Sequence, residues 1–215
     1  MSLVLHYHPL SSFCHKALIA LYENEVAFVP RLVDLGDAGQ RAEFLRLWPI
    51  GKFPVLQDEG RGLTIPESSI IIEYLDRHHP GKAKLIPEEP ELAREIRFLD
   101  RFFDLYVHLP MQEIVGDRLR PEGSHDPHGV QHARSTMRTA LGRFERDIAD
   151  RSWAAGASFS LADCSAAPAL FYANKVMPLA EDFPQVDAYL RRLMERPSYA
   201  RVLSEAQPYF SMFPA

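Results

Sequence analysis

Cysteine is nearly missing from this sequence: only Cys14 and Cys164 occur, far apart, among 215 residues. Two such residues do not make a disulfide framework, so a reducing cytoplasm is the expected home. Long apolar runs are absent too. No window approaches the roughly 20 apolar residues that cross a bilayer, and "MSLVLHYHPL" lacks the basic stretch and apolar length of a signal peptide. No Lys/Arg-rich run occurs and the net charge is −5, which argues against nucleic acid as a partner. There is no G-x-S-x-G elbow for a hydrolytic serine. His128 and His132 stand four apart, but "GVQ" between them lacks the Glu of H-E-x-x-H. With His125 they read as part of a solvated loop, and no metal is expected.

What is present is an ordinary globular composition, 47% hydrophobic and 25% charged, long enough for one large or two small domains. The first eighty residues alternate strand-like and helix-like pieces. "LVLHYH" alternates apolar and polar positions and ends at Pro9; a helical run follows through Phe13, Ala17, Ile19, Ala20 and Leu21. "VAFVPRLVDL" reads as a strand that Pro30 confines to an edge. "QRAEFLRLW" is a short helix, and "FPVLQDEGRGLTI" is two strands around the turn Asp58 to Gly62. "ESSIIIEYLDRHH" is a helix with Ile70, Ile71, Tyr74 and Leu75 on one face. The order is βαβ-(α)-ββα, with the first two strands parallel and the last two antiparallel. "PGKAKLIPEEPE" has the composition of a linker. Beyond it every patterned segment is helical, apart from the Pro- and Gly-rich loop "RPEGSHDPHG" at 120–129. The expectation is a small α/β domain at 1–79, a linker at 80–90 and an all-α domain at 91–215.

Three short stretches can carry chemistry. In "PLSSFCHKALIAL" (9–21), Ser11 and Ser12 precede an apolar helical run and read first as an N-cap. Their place at the first strand-to-helix turn of an α/β sheet is also where ligands bind, beside free N–H groups and a positive dipole end. A serine hydroxyl there can donate to the thiolate of a bound thiol and lower its pKa. Cys14 stands in the first helical turn, where packing outweighs redox exchange; Cys164 lies in an apolar helix. In "GKFPVL" (51–56), Pro54 belongs at a strand start, and a cis Phe53–Pro54 bond would leave the Phe53 backbone free to pair with a peptide ligand. In "IPESSI" (65–70), a helix opens at Glu67, Ser68 and Ser69. Capping explains these residues, as does recognition of an amino-acid head group, with Ser68 and the helix end taking a carboxylate and Glu67 an ammonium.

In this order, followed by an all-helical half, the stretches resemble the cytosolic glutathione transferases of the serine type, theta- or zeta-like, over the whole chain. "GKFPVL" and "PESSIIIEYL" carry the resemblance most specifically, backed by "FSLADCSAAPAL" at 159–170. There Ser160 would be the N-cap and Asp163 its reciprocal partner in a capping box. Trp48 stands where the family has an asparagine in "N-P-x-G-K". "SSFC" is also similar to the "SSC" of the zeta class, which isomerises maleylacetoacetate; Phe13 replaces its cysteine and His15 its aromatic.

The resemblance implies a thioredoxin-like N-terminal domain that binds glutathione as co-substrate and a C-terminal helical bundle. It implies that Ser11 activates the glutathione thiolate, with Ser12 as the fallback. Lys52, Phe53, Pro54, Glu67 and Ser68 would hold glutathione, with Phe53 pairing by backbone and Pro54 cis. A small hydrophobic electrophile would lie between Leu10 and the first bundle helix, near Tyr106, His108 and Met111. The implied protein is a cytoplasmic homodimer that conjugates glutathione to electrophiles and so detoxifies them. Glutathione-dependent isomerisation and non-enzymatic ligand binding are the alternatives.

Overall fold

A computed structural model of the chain describes residues 2–214. The N-terminal part runs β1 (Leu3–Tyr7), α1 (Ser12–Glu23), β2 (Val29–Leu32), α2 (Ala38–Leu47), β3 (Val55–Asp58), β4 (Leu63–Pro66) and α3 (Ser68–His78). The four strands form one sheet in the order β2-β1-β3-β4. β1 is parallel to β2, with Leu5 opposite Pro30, and antiparallel to β3, with Leu5 opposite Leu56. β3 and β4 are antiparallel. Pro30 thus lies in an edge strand, where its missing N–H costs no ladder bond.

The helical part follows as α4 (Pro90–Phe102), a π-helical segment (Phe103–His108), α5 (Leu109–Arg118), α6 (Pro127–Ile148), α7 (Leu161–Val176), α8 (Pro184–Glu195) and α9 (Pro197–Ala206), with a 3-10 segment Gln207–Met212 at the end. None of these helices is long and apolar enough to cross a membrane, among the described residues.

Three expectations need correction. Residues 92–119 read as one helical stretch, but the backbone widens over 103–108. Pro110 lacks the N–H that an α-helix would donate to the carbonyl four residues back. The expected loop at 120–129 ends early: Asp126 caps Gly129 N at 2.9 Å and Pro127 opens α6, so His128 and His132 are helical. In α3 the buried face is Ile71, Ile72 and Leu75, while Ile70 is exposed. Three successive isoleucines leave the helical phase unreadable from spacing.

α1 is buried along most of its length, from Ser12 to Leu21, because α3 packs on one side and α7 and α9 on the other. One continuous apolar core runs through both parts of the chain, and its burial is the main stabilising term. Lys16 is a charged residue buried within it. The Lys16 Nζ lies 2.5 Å from an Asp100 oxygen and 2.9 Å from Asp104, and donates to Ser69 at 2.9 Å. Ser165 donates to Asp100 at 2.5 Å. Burial pushes both carboxyls up; at Asp100 the Lys16 ammonium and the serine hydroxyls outweigh it and hold the group low, whereas Asp104 stays raised. A fully satisfied buried cluster of this kind ties α1 and α3 to α4 and the π-helical segment. At the start of α7, Asp163 accepts from Ser160 N at 2.9 Å, closing the expected cap, and also from Ala154 N and the Tyr189 hydroxyl.

Candidate active site

The turn between β1 and α1 sets the site. Ser11 is the N-cap residue of α1, with extended backbone, and its Oγ accepts weakly from Cys14 N at 3.4 Å. An N-cap oxygen acts as acceptor, so the hydroxyl hydrogen stays available to donate outward. Ser12, by contrast, is buried, and its Oγ shares a hydrogen bond of 2.9 Å with Nε2 of His108. Burial first, and the Lys16 ammonium second, push the His108 imidazole down to about 3, so the ring is neutral at neutral pH. Cys14 is fully buried, and burial pushes its thiol up to about 12. It is protonated and inert as a nucleophile at neutral pH.

A cleft of about 350 Å³ opens beside Ser11, and Lys52, Phe53, Pro54, Glu67 and Ser68 line it together with Phe13, Gly51, Leu109 and Gln112. All five residues expected to hold one ligand therefore face one space with Ser11. The Phe53–Pro54 peptide is cis. Gly51 has φ of +69°, a left-handed conformation that glycine adopts without strain. The turn before it closes by backbone, Gly51 N donating to the Trp48 carbonyl at 2.9 Å. Replacing the family's asparagine with Trp48 leaves that bond intact, and the indole joins the small core of Val33, Phe44 and Val55.

Glu67 takes φ of +70°, a rare conformation for a residue with a Cβ and one that clusters at ligand-holding positions. Its carboxylate makes no cap to α3. The first N–H groups of α3 and the Ser68 side chain thus offer an anion site, with the Glu67 carboxylate beside it.

A second cleft, also of about 350 Å³, lies on the other side of Ser11. Leu10, Ser12, His108 and Met111 line it, joined by Val115, Leu119, Tyr172 and Phe213. No lysine or arginine lines it. Ser11 and Gln112 line both clefts. Tyr106 does not belong to this site. It is exposed and lines a groove between α4 and α6 with Phe98, Phe102 and His132. Two residues before His108 on a helical segment is the opposite side of that segment, whereas Met111, three residues after it, shares its face. Sequence reasoning also missed Gln112, Tyr172 and Phe213. None of them sits in a local motif, and the last is brought in only by the path of the chain end. Among the described residues no group of His, Cys, Asp and Glu could hold a metal.

Comparisons with known proteins identify the family. Residues 5–83 match the family model for the glutathione S-transferase N-terminal domain, and residues 127–192 match the model for the C-terminal domain. A glutathione S-transferase from Pseudomonas putida is 28% identical, covering 98% of this chain and 96% of that protein. A maleylacetoacetate isomerase from Pseudomonas aeruginosa is 27% identical, covering 97% of this chain and 98% of that one. Among solved structures, a glutathione S-transferase from Methylobacillus flagellatus, with GSH bound, superposes with a TM-score of 0.86 at 27% identity, covering 94% of this chain and 98% of that one. With a thioredoxin-like domain, a helical domain and a matching family model for each, this chain belongs to the glutathione S-transferase family and is an enzyme of it.

Proposed function

We propose that this transferase is of the serine type, with Ser11 donating a hydrogen bond to the glutathione sulfur. The observation that carries this is the position of Ser11: it lines both clefts and its Oγ is held only by a long bond from Cys14 N, while the Ser12 hydroxyl is taken up by His108. Glutathione would lie in the first cleft. Glu67 and Ser68 would hold its γ-glutamyl end, the Phe53 backbone its cysteinyl part, and Lys52 a carboxylate. The N-terminus of α1 and the Ser11 hydroxyl favour the ionised sulfur, so the thiol proton leaves to solvent and the thiolate attacks. The electrophile sits in the second, apolar cleft. A carbon–sulfur bond forms there as the leaving group departs or as an unsaturated acceptor takes up a proton. The gain comes from proximity and a stabilised anion, with no covalent enzyme intermediate.

Isomerisation of a diketo acid is the lesser reading, because the second cleft offers no cation to the substrate's carboxylates. The enzyme would work as a homodimer. Phe98, Leu105 and Tyr106 on the helical part and Leu63 and Ile70 on the α/β part are large, apolar and exposed, and a second copy would cover them. Sedimentation would show a dimer; a monomer at micromolar concentration contradicts this. For the chemistry, steady-state conjugation to an aryl halide should fall about 100-fold in Ser11→Ala and far less in Ser12→Ala. The reverse order would transfer the role to Ser12.

A further inference from the structure

The turn that presents Ser11 is held at successive backbone groups. The Pro9 carbonyl accepts from His15 Nε2 at 2.6 Å, within the same domain. The Leu10 carbonyl accepts from the Tyr172 hydroxyl at 2.8 Å, and Tyr172 belongs to α7 of the helical domain. Ser11 N donates to the His8 carbonyl at 3.0 Å. The Leu10–Ser11 peptide is therefore fixed at both ends, its C=O by Tyr172 and its N–H by His8. Rotation of that plane is the motion that would swing the Ser11 Cβ and hydroxyl out of the first cleft. The Ser11 side chain resists it little by itself, since its bond to Cys14 N is 3.4 Å long.

Tyr172 is well placed to hold the plane. It is 2% exposed, its ring stacks on Phe213 and meets Phe171 edge-on, and the His15 ring lies on it at 5.7 Å. Burial pushes its phenol up, so the hydroxyl remains a donor across the physiological range. A rigid ring with two side-chain torsions places that donor at low entropic cost.

We propose that Tyr172 is a positioning residue for thiol activation: its hydroxyl fixes the Leu10–Ser11 peptide and through it aims the Ser11 hydroxyl at the glutathione sulfur. This rests on Ser11 being the donor. It also gives the helical domain a part in ionising glutathione, beyond lining the electrophile cleft.

The test is Tyr172→Phe, which removes one hydroxyl and keeps the ring. The thiolate absorbance of bound glutathione is titrated against pH, and KM for glutathione is measured alongside. The thiol pKa should rise by about one and turnover near neutral pH fall severalfold, up to about tenfold. KM for glutathione should stay put, because Lys52, Phe53, Glu67 and Ser68 are untouched. In a Ser11→Ala background the same substitution should add nothing further to the thiol pKa. Tyr172→Leu, which also removes the ring, should cost more stability yet raise that pKa no more than Tyr172→Phe. A wild-type thiol pKa in Tyr172→Phe, while Ser11→Ala raises it, overturns the role of Tyr172 alone. Effects that multiply in the double variant overturn it as well. If Ser11→Ala itself leaves the pKa unchanged, the Ser11 assignment fails first and takes the positioning role with it.

Discussion

Two clefts of equal size meet at Ser11, and they are built in opposite ways. The first mixes polar and apolar groups and comes mainly from loop and helix ends of the α/β domain: Gly51 to Pro54, and Glu67 with Ser68. Its features are backbone groups, helix N-termini and charges, all suited to the fixed chemistry of a tripeptide. The second is apolar and comes from side chains scattered between Leu10 and Pro214. Such a surface accepts many molecules and specifies few. On the proposed reading, a constant co-substrate would be held by backbone geometry, and a variable partner by replaceable side chains.

That contrast can be broken where the clefts share a foundation. Lys16 bonds Ser69, next to Ser68 of the first cleft, and Asp104 in the π-helical segment that carries His108 of the second, and Lys16→Met would leave Asp100 and Asp104 buried without their main counter-charge. A stability loss of about 3–5 kcal/mol is expected, read from urea unfolding, with both clefts impaired together. A loss below about 1 kcal/mol would mean the cluster is solvated.

Acid should also act on the shared turn. His15 is pushed by burial from 6.5 to about 4 and His108 from 6.5 to about 3. A histidine with a lowered folded pKa binds its proton more readily when unfolded, so stability is fully present above about pH 6.5 and is lost as pH falls. The His15 shift alone corresponds to roughly 3 kcal/mol between about pH 6.5 and 4. Urea midpoints that stay flat over this range would contradict a neutral, buried His15.

Two further substitutions should separate the clefts. Glu67→Ala should raise KM for glutathione about tenfold, roughly 1.4 kcal/mol, and leave KM for an apolar electrophile unchanged. Met111→Ala should do the converse and more weakly, raising KM for the electrophile about threefold to fivefold through roughly 1 kcal/mol of lost apolar contact. Cross-effects of equal size in either variant would show that the two sites are not distinct.

The same contrast explains which parts of the site are legible in the sequence. "GKFPVL" brings Gly51 to Pro54 and "PESSIIIEYL" brings Glu67 and Ser68 to the first cleft; each segment alone is weak, and their order along the chain with the family resemblance is what points to one site. The parallel pairing of β1 with β2 and the antiparallel pairing of β3 with β4 also follow from local patterns, one helical crossover and one short turn, whereas the place of β1 between β2 and β3 is set by tertiary packing. The second cleft has no such segment. His108 and Met111 reach it by helical spacing, yet the π-helical turn and its phase put Tyr106 outside it. Tyr172 and Phe213 arrive through tertiary packing alone. The phase of α3 and the start of α6 failed for local reasons, three like isoleucines and an Asp–Pro cap within a polar stretch.

The central claim is that one serine at the junction of the clefts tunes a thiol it does not own. Titration of the thiolate absorbance of glutathione bound to the wild type, Ser11→Ala and Ser12→Ala tests it directly. The account predicts a wild-type pKa below the ordinary thiol value of about 8.5, raised in Ser11→Ala and little changed in Ser12→Ala. Bound glutathione that titrates in the wild type as it does in Ser11→Ala would contradict it.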